Sequence, residues 1–252
     1  MFTAGNLILG SIAGLIVGLS KTALPGAALI ASPLIAEIVV GRAIPGTTLP
    51  LLLAADVFAV AWYRQHARWD LLHPMIISVS VGFAAGAAFF AIVGSSTRVI
   101  EIVIGISILL VVIVQVRRMI GRQQPVEPTP AAAAVYGSTG GFTTFVANAA
   151  GPILNTYLVS LGLNKEEMVG TSAWFYFSVN AAKVPVYLAL GELTSGGRFI
   201  TGSSLAFDAA LMPAVLVGLF GGRRLLHRLP ERAFLNGVLV LSAAGAIKLL
   251  LP

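Results

Sequence analysis

The sequence predicts an all-α integral membrane protein built from two inverted-topology repeats of about five helical segments each. Discontinuous or re-entrant hairpins are expected at the start of each repeat. Three observations predict this. Hydrophobic residues make up 57% of the 252 and charged residues only 10%, against about 25% charged in a soluble domain. Apolar runs recur along the whole chain with short polar breaks, the pattern of a polytopic membrane protein. The second half of the chain also repeats the landmarks of the first.

Hydropathy and Gly/Pro punctuation mark the elements in order. Apolar segments cover 7–19, 27–40, 49–63, 75–93 and 99–116 in the first half, then 135–147, 153–163, 173–190, 205–220 and 233–251 in the second. A basic, Pro-rich stretch, "RRMIGRQQPVEP", separates the halves. The organisation is therefore an N-terminal membrane repeat over 1–117, a cytoplasmic linker over 118–131 and a C-terminal inverted membrane repeat over 132–252. The opening "MFTAGNLILG" lacks the basic region of a cleavable signal peptide. With no cysteine in the chain, disulfides and thiolate metal sites are excluded.

The repeat is legible by eye. "GSIAG…SKTALPG" from Gly10 lies over "GSTGG…ANAAGP" from Gly137 at one constant offset, so that Gly14 meets Gly141, Lys21 meets Asn148 and Pro25 meets Pro152. After a three-residue adjustment "GTTLPLLLAADVFAVAWY" lies over "GTSAWFYFSVNAAKVPVY", which sets Asp56 on Asn180 and Tyr63 on Tyr187. Gly82 and Gly86 then match Gly218 and Gly222. An odd number of segments per half puts the second copy into the membrane upside down. With alternating segments, one face receives Arg64, Arg68, Arg117, Arg118, Arg122, Lys165, Arg223, Arg224, Arg228 and Arg232, and the other only Arg42, Arg98, Arg198 and Lys248. The positive-inside rule assigns the richer face to the cytoplasm of a bacterial-type inner membrane and leaves both termini outside. This asymmetry accounts for the net charge of +6 without a nucleic-acid partner.

The stretch "GLSKTALPG" places Lys21 between two apolar arms. These arms run to about 13 and 14 residues, short of the roughly 20 needed to cross a 30 Å core. Two readings are open. In one, this hairpin and its counterpart at "NAAGP" re-enter the membrane and their tips meet near the midplane. In the other, the arms span fully and Lys21 is a positive-inside lysine. Re-entrant tips suit an anion, because new helices starting at Pro25 and Pro152 aim free N–H groups and a positive dipole end at the tip. Lys21 adds charge, Thr22 and Asn148 add hydrogen bonds, and Gly26 and Gly151 allow close approach. Asp56 and Lys183 fall at mid-depth, where an ionised group costs about 2.5–3.5 kcal/mol unless it is paired or wetted. They read either as an Asp56–Lys183 pair locking the halves, or as a proton site and a substrate charge.

Thr47 and Thr48, matched by Thr171 and Ser172, follow glycines at segment starts and read as helix caps or as the lining of a path. Trp174 reads as a stacking residue or an interfacial anchor. The series Gly10/Gly14/Gly18, Gly82/Gly86 and Gly218/Gly222 reads as helix-packing faces that also permit a homodimer. The Gly-Lys-Ser/Thr order of a P-loop is absent, as are a catalytic constellation and a metal-ligand cluster. No enzyme, cofactor or metal is expected.

These duplicated blocks, "G-S-x-x-G…K-T…P-G" and "G-S-x-G-G…N…G-P", each followed by a Gly-Thr-initiated segment, resemble the sulfite exporter TauE/SafE family of membrane transporters along nearly the whole chain. The resemblance implies transport of a small sulfur-containing anion: sulfite, thiosulfate or an organosulfonate. It carries Lys21, Thr22 and Pro25, and Asn148, Gly151 and Pro152, into the site. The sequence expectation is thus a secondary transporter with the anion held between the tips. Thr47, Thr171, Ser172, Trp174 and Lys183 belong to the substrate set, and Asp56 with Asn180 to the coupling set. Protonation of Asp56 would relieve its repulsion of an anion. A passive anion channel, or more remotely a membrane subunit of a larger complex, is the alternative.

Overall fold

In the computed structural model, residues 2–23, 43–93, 127–193 and 198–230 are described without interruption, with scattered residues of 27–39, 98–117 and 232–250. The apolar segments 27–40, 99–116 and 233–251, with Pro25 and Gly26, lie wholly or mostly outside the described residues. Among the described residues the chain is helical, with no strand: α1 (Ala4–Thr22), α2 (Ala43–Tyr63), a 3-10 turn (Arg64–His66), α3 (Trp69–Val93), α4 (Pro130–Ala147), α5 (Ala150–Ser160), α6 (Lys165–Leu193) and α7 (Gly202–Arg228).

Polar side chains set the helix ends. The Thr3 hydroxyl accepts from Asn6 N at 3.2 Å and starts α1, and Thr129 does the same for α4 from Ala132 N at 3.1 Å, with Pro130 in the first turn. Each such cap is worth about 1 kcal/mol. Thr201 and Ser204 form a reciprocal capping box at α7. Because these caps lie outside the apolar runs, the helices outlast the hydropathy signal. α1 has 19 residues and α4 has 18, longer than the arms marked at 7–19 and 135–147. This corrects the premise of short first arms: α1 alone is about 28 Å long, close to a full crossing. α5 has 11 residues, about 16 Å, and stays too short to cross.

Four stretches, Ala4–Thr22, Ala43–His66, Trp69–Phe89 and Gly202–Arg228, are long and apolar enough to span a bilayer. Their outer faces expose large apolar side chains such as Ile8, Ile77, Val81 and Val217, each more than 60% accessible. Such a surface is unfavourable in water and matched to lipid.

The two halves interleave. α1 packs along α7, α4 packs along α3, and α2 crosses α6. Glycines set the closeness of the first two pairs. A Cβ at Gly10 would strike Leu211 and one at Gly14 would touch Val215, while a Cβ at Gly137 would strike the Met75 backbone and one at Gly141 the Val79 backbone. At Gly18, Gly82 and Gly218 a Cβ would overlap the facing helix backbone outright. The glycine series are thus packing faces, as their spacing predicts. α1, α2 and α7 bury Val17, Leu51, Leu52, Phe207, Leu211 and Val215 together. α3, α4, α5 and α6 enclose Leu72, Met75, Leu154, Tyr157 and Phe175.

One end of the bundle gathers basic residues. Arg68 is paired with Asp70 at 2.8 Å and lies 3.6 Å from Glu167, Arg223 lies over the Trp62 ring at 4.9 Å, and the Lys165 ammonium donates to the carbonyls of Leu226 and Leu229 at the end of α7. A cation there complements the negative end of the helix dipole. At the opposite end Arg198 pairs with Glu192 at 2.9 Å.

Candidate functional site

The break between α4 and α5 is two residues long. Asn148 takes the left-handed conformation, φ 55° and ψ 30°, at the end of α4, a region asparagine enters more readily than most residues. The Ala149 N–H reaches back to the Thr143 carbonyl at 3.2 Å, and α5 starts at Ala150. This turn frees the Asn148 side chain for two roles. Its Nδ2 donates to the Pro45 carbonyl at 3.2 Å, and its Oδ1 accepts from Lys183 Nζ. Lys183, fully buried on α6, also donates to the Thr144 carbonyl at 3.3 Å and the Thr144 hydroxyl at 3.1 Å. Three acceptors match the three donors of an ammonium. All three are neutral.

The first half builds its side of the centre with different chemistry. Lys21, in the last turn of α1, sets its Nζ 2.7 Å from Asp56 Oδ1, and Asp56 is fully buried on α2. Asn180, on the facing turn of α6, donates from Nδ2 to Asp56 Oδ2 at 2.6 Å. The Lys21 ammonium also stands 4.1 Å from the centroid of the Tyr176 ring, a cation–π distance. The expected Asp56–Lys183 pair is therefore not the one formed. Depth along a helix placed both residues at the midplane, but Asp56 turns to Lys21 while Lys183 turns to Asn148 and Thr144.

Between these groups lies a cavity of about 20 Å³, room for about one water. Ser20, Lys21 and Ala28 line it from the first half, with Leu52 from α2, and Thr144, Asn148, Gly151, Tyr176 and Asn180 from the second. Lys21, Asn148, Gly151 and Asn180 are thus brought to one point, with Asp56 and Lys183 bonded directly behind them.

Other expected site residues sit elsewhere. The Thr22 hydroxyl donates to Gly18 and Leu219 carbonyls at 3.2 and 3.4 Å and packs on Gly222 of α7. Thr171 accepts from the Arg68 N–H at 3.0 Å, bracing the turn before α3, and Ser172 donates to Asn155 Oδ1 at 3.2 Å. The Thr48 hydroxyl donates within its own helix to the Ile44 carbonyl. Thr47 is fully buried, and its hydroxyl has no partner among the described residues. Trp174 packs at a tilt against Trp69, ring centroids 5.0 Å apart, at the arginine-rich end rather than over the cavity. Pro152 is the third residue of α5.

Tyr176 and Thr144 were not singled out from sequence. An aromatic in an apolar helix looks like core, although Tyr176 is one turn from Asn180 on the same face. Asp208 stands apart: it is buried between Phe207 and Leu211 on α7, and neither carboxylate oxygen has a hydrogen-bond partner among the described residues.

Apolar spans wrapped around a buried, lysine-bearing centre define a multi-pass helical membrane protein. The chain matches the family model described as Sulfite exporter TauE/SafE over residues 10–249, and it belongs to that family. This is a family of transporters, in keeping with the expectation that the chain is not an enzyme. Neither a curated protein nor a solved structure matches it.

Proposed function

We propose that the protein carries a small sulfur oxyanion across the cytoplasmic membrane by alternating access about the cavity between Lys21 and Asn148. One observation carries this reading. Among the described residues the buried centre holds two lysines, Lys21 and Lys183, against a single carboxylate, Asp56. A buried charge without a counter-charge is costly, so an anion supplies what the centre lacks. The small size of the cavity favours a carrier over an open pore, since an oxyanion of four or more heavy atoms needs the tips to part.

Two inverted repeats are the scaffold of this proposal. The contact pattern supports them, since α1 on α7 is answered by α4 on α3, and Gly14 against Val215 by Gly141 against Val79. Aligned residues Asp56 and Asn180 bond to each other where α2 crosses α6, as residues beside a pseudo-two-fold axis do. The arginine-rich end faces the cytoplasm by the positive-inside rule, with both termini outside. Protons couple through Asp56: its protonation releases Lys21 from its partner and raises the positive charge open to the anion.

The test is sulfite and organosulfonate uptake into proteoliposomes, with and without an inward proton gradient, for the wild type and Lys21→Ala. Uptake that follows the gradient and falls in the variant supports the proposal. Anion flux indifferent to the gradient indicates a channel, and no flux of any sulfur anion removes the substrate assignment.

A further inference from the structure

We propose a second oxyanion station, made of neutral donors, between the central cavity and the arginine-rich end of the bundle. It consists of Tyr176, Asn155 and Ser172, and it rests on the anion-transport reading above. Gly151 and Asn155 are four residues apart on α5, and Asn180, Tyr176 and Ser172 follow at four-residue steps on α6. Each series therefore forms one stripe along its helix. Gly151, Tyr176 and Asn180 already border the cavity. Asn155 and Ser172 continue the stripes by about one further turn, roughly 5 Å, toward the end that carries Lys165 and Arg68.

The hydrogen bonding along this stripe is incomplete. Asn155 is fully buried, and its Oδ1 accepts from the Ser172 hydroxyl at 3.2 Å, which fixes the amide and leaves Nδ2 without an acceptor among the described residues. The Tyr176 hydroxyl is buried against the Asn155 side chain, whose amide bears on its oxygen, and the hydroxyl proton finds no acceptor among the described residues. One face of the same ring carries the Lys21 ammonium. Buried donors are satisfied in more than about 90% of cases, and an unmade bond is costly. This adjacent pair of buried donor groups beside the proposed anion cavity is short of an acceptor from outside the pair. An oxyanion, rich in lone pairs and acceptor-only, supplies one.

The absence of charge at this station has a consequence. A fully charged site would hold the anion and slow its departure. Neutral donors let it step from the lysines toward the arginine-rich end without a deep well.

The experiment measures sulfite transport in proteoliposomes of fixed sidedness, loaded in turn from the arginine-rich side and the opposite side. It compares the wild type with Tyr176→Phe, Asn155→Leu and Ser172→Ala, with thermal unfolding as the check on folding. Asn155→Leu is expected to raise the apparent KM about tenfold from the arginine-rich side with the opposite side unchanged, and Tyr176→Phe, which also borders the central cavity, to raise it more from the arginine-rich side than from the other. Ser172→Ala, which only releases the amide, is expected to give a smaller rise on the same side. Tyr176→Phe keeps the ring and removes only the hydroxyl, so it tests the proposal even where Asn155→Leu fails to assemble. Equal shifts on both sides, or none on either, overturn the station and leave the central site intact. A wild type that moves no sulfur oxyanion overturns both.

Discussion

Two buried lysines flank one cavity and are held by different chemistry. In the first half Lys21, at the end of its helix, meets the carboxylate of Asp56 at 2.7 Å. In the second half the helix-end residue is Asn148 and the lysine is Lys183, so ammonium meets amide. One lysine faces a carboxylate and the other, among the described residues, faces neutral groups. This difference leaves the second half with a lysine held by neutral groups among the described residues, and the proposal sets the anion's charge beside it.

Lys183→Met breaks the comparison most severely, because it removes the unmatched charge itself. Sulfite uptake is expected to fall by about 100-fold, in line with roughly 3 kcal/mol or more for losing one partner of a buried charge pair. Retained elution as a folded protein in size-exclusion chromatography checks that the loss is functional. Wild-type uptake in this variant would separate Lys183 from the anion.

Asp56→Asn makes the two halves chemically alike at the crossing of α2 and α6. Accumulation driven by a proton gradient is expected to stop, while exchange of sulfite across the membrane without a gradient persists. Loss of both activities would give Asp56 a structural role alone.

Gly18→Ala probes the shared backbone rather than the charge. The added Cβ would overlap the α7 backbone at Val215 and Leu219, and overpacking of this kind costs about 1–3 kcal/mol. A lower Tm is expected, with the KM of the remaining folded protein close to that of the wild type. Thr22→Val is expected to have the smallest effect, below about 1 kcal/mol in stability, because its hydroxyl only reaches α1 and α7 carbonyls. A large rise in KM would return Thr22 to the site.

Much of this contrast was legible in the sequence. The repeat aligned Lys21 with Asn148 and Asp56 with Asn180, and an ionisable residue within an apolar run is conspicuous by itself. Pairing was not legible. Position in a segment gives depth, but partner choice depends on the direction each side chain takes around its helix and on how the helices cross, so Asp56 was set against Lys183. Helix length was misread where caps such as Thr3 and Thr129 lie beyond the hydropathy signal. Thr171 and Trp174 sit on the same helix as Asn180 and Lys183 but near its arginine-rich end. Residue type alone does not reveal that distance from the cavity.

The central claim is that the unmatched positive charge beside Asn148 is what the anion neutralises. Its most direct test is calorimetric titration of sulfite into purified wild type and Asn148→Asp. The new carboxylate gives Lys183 the partner that Lys21 already has. Binding in the wild type that weakens by about tenfold or more in variant protein that still elutes as folded is the predicted result. Equal affinity in the two proteins would contradict it.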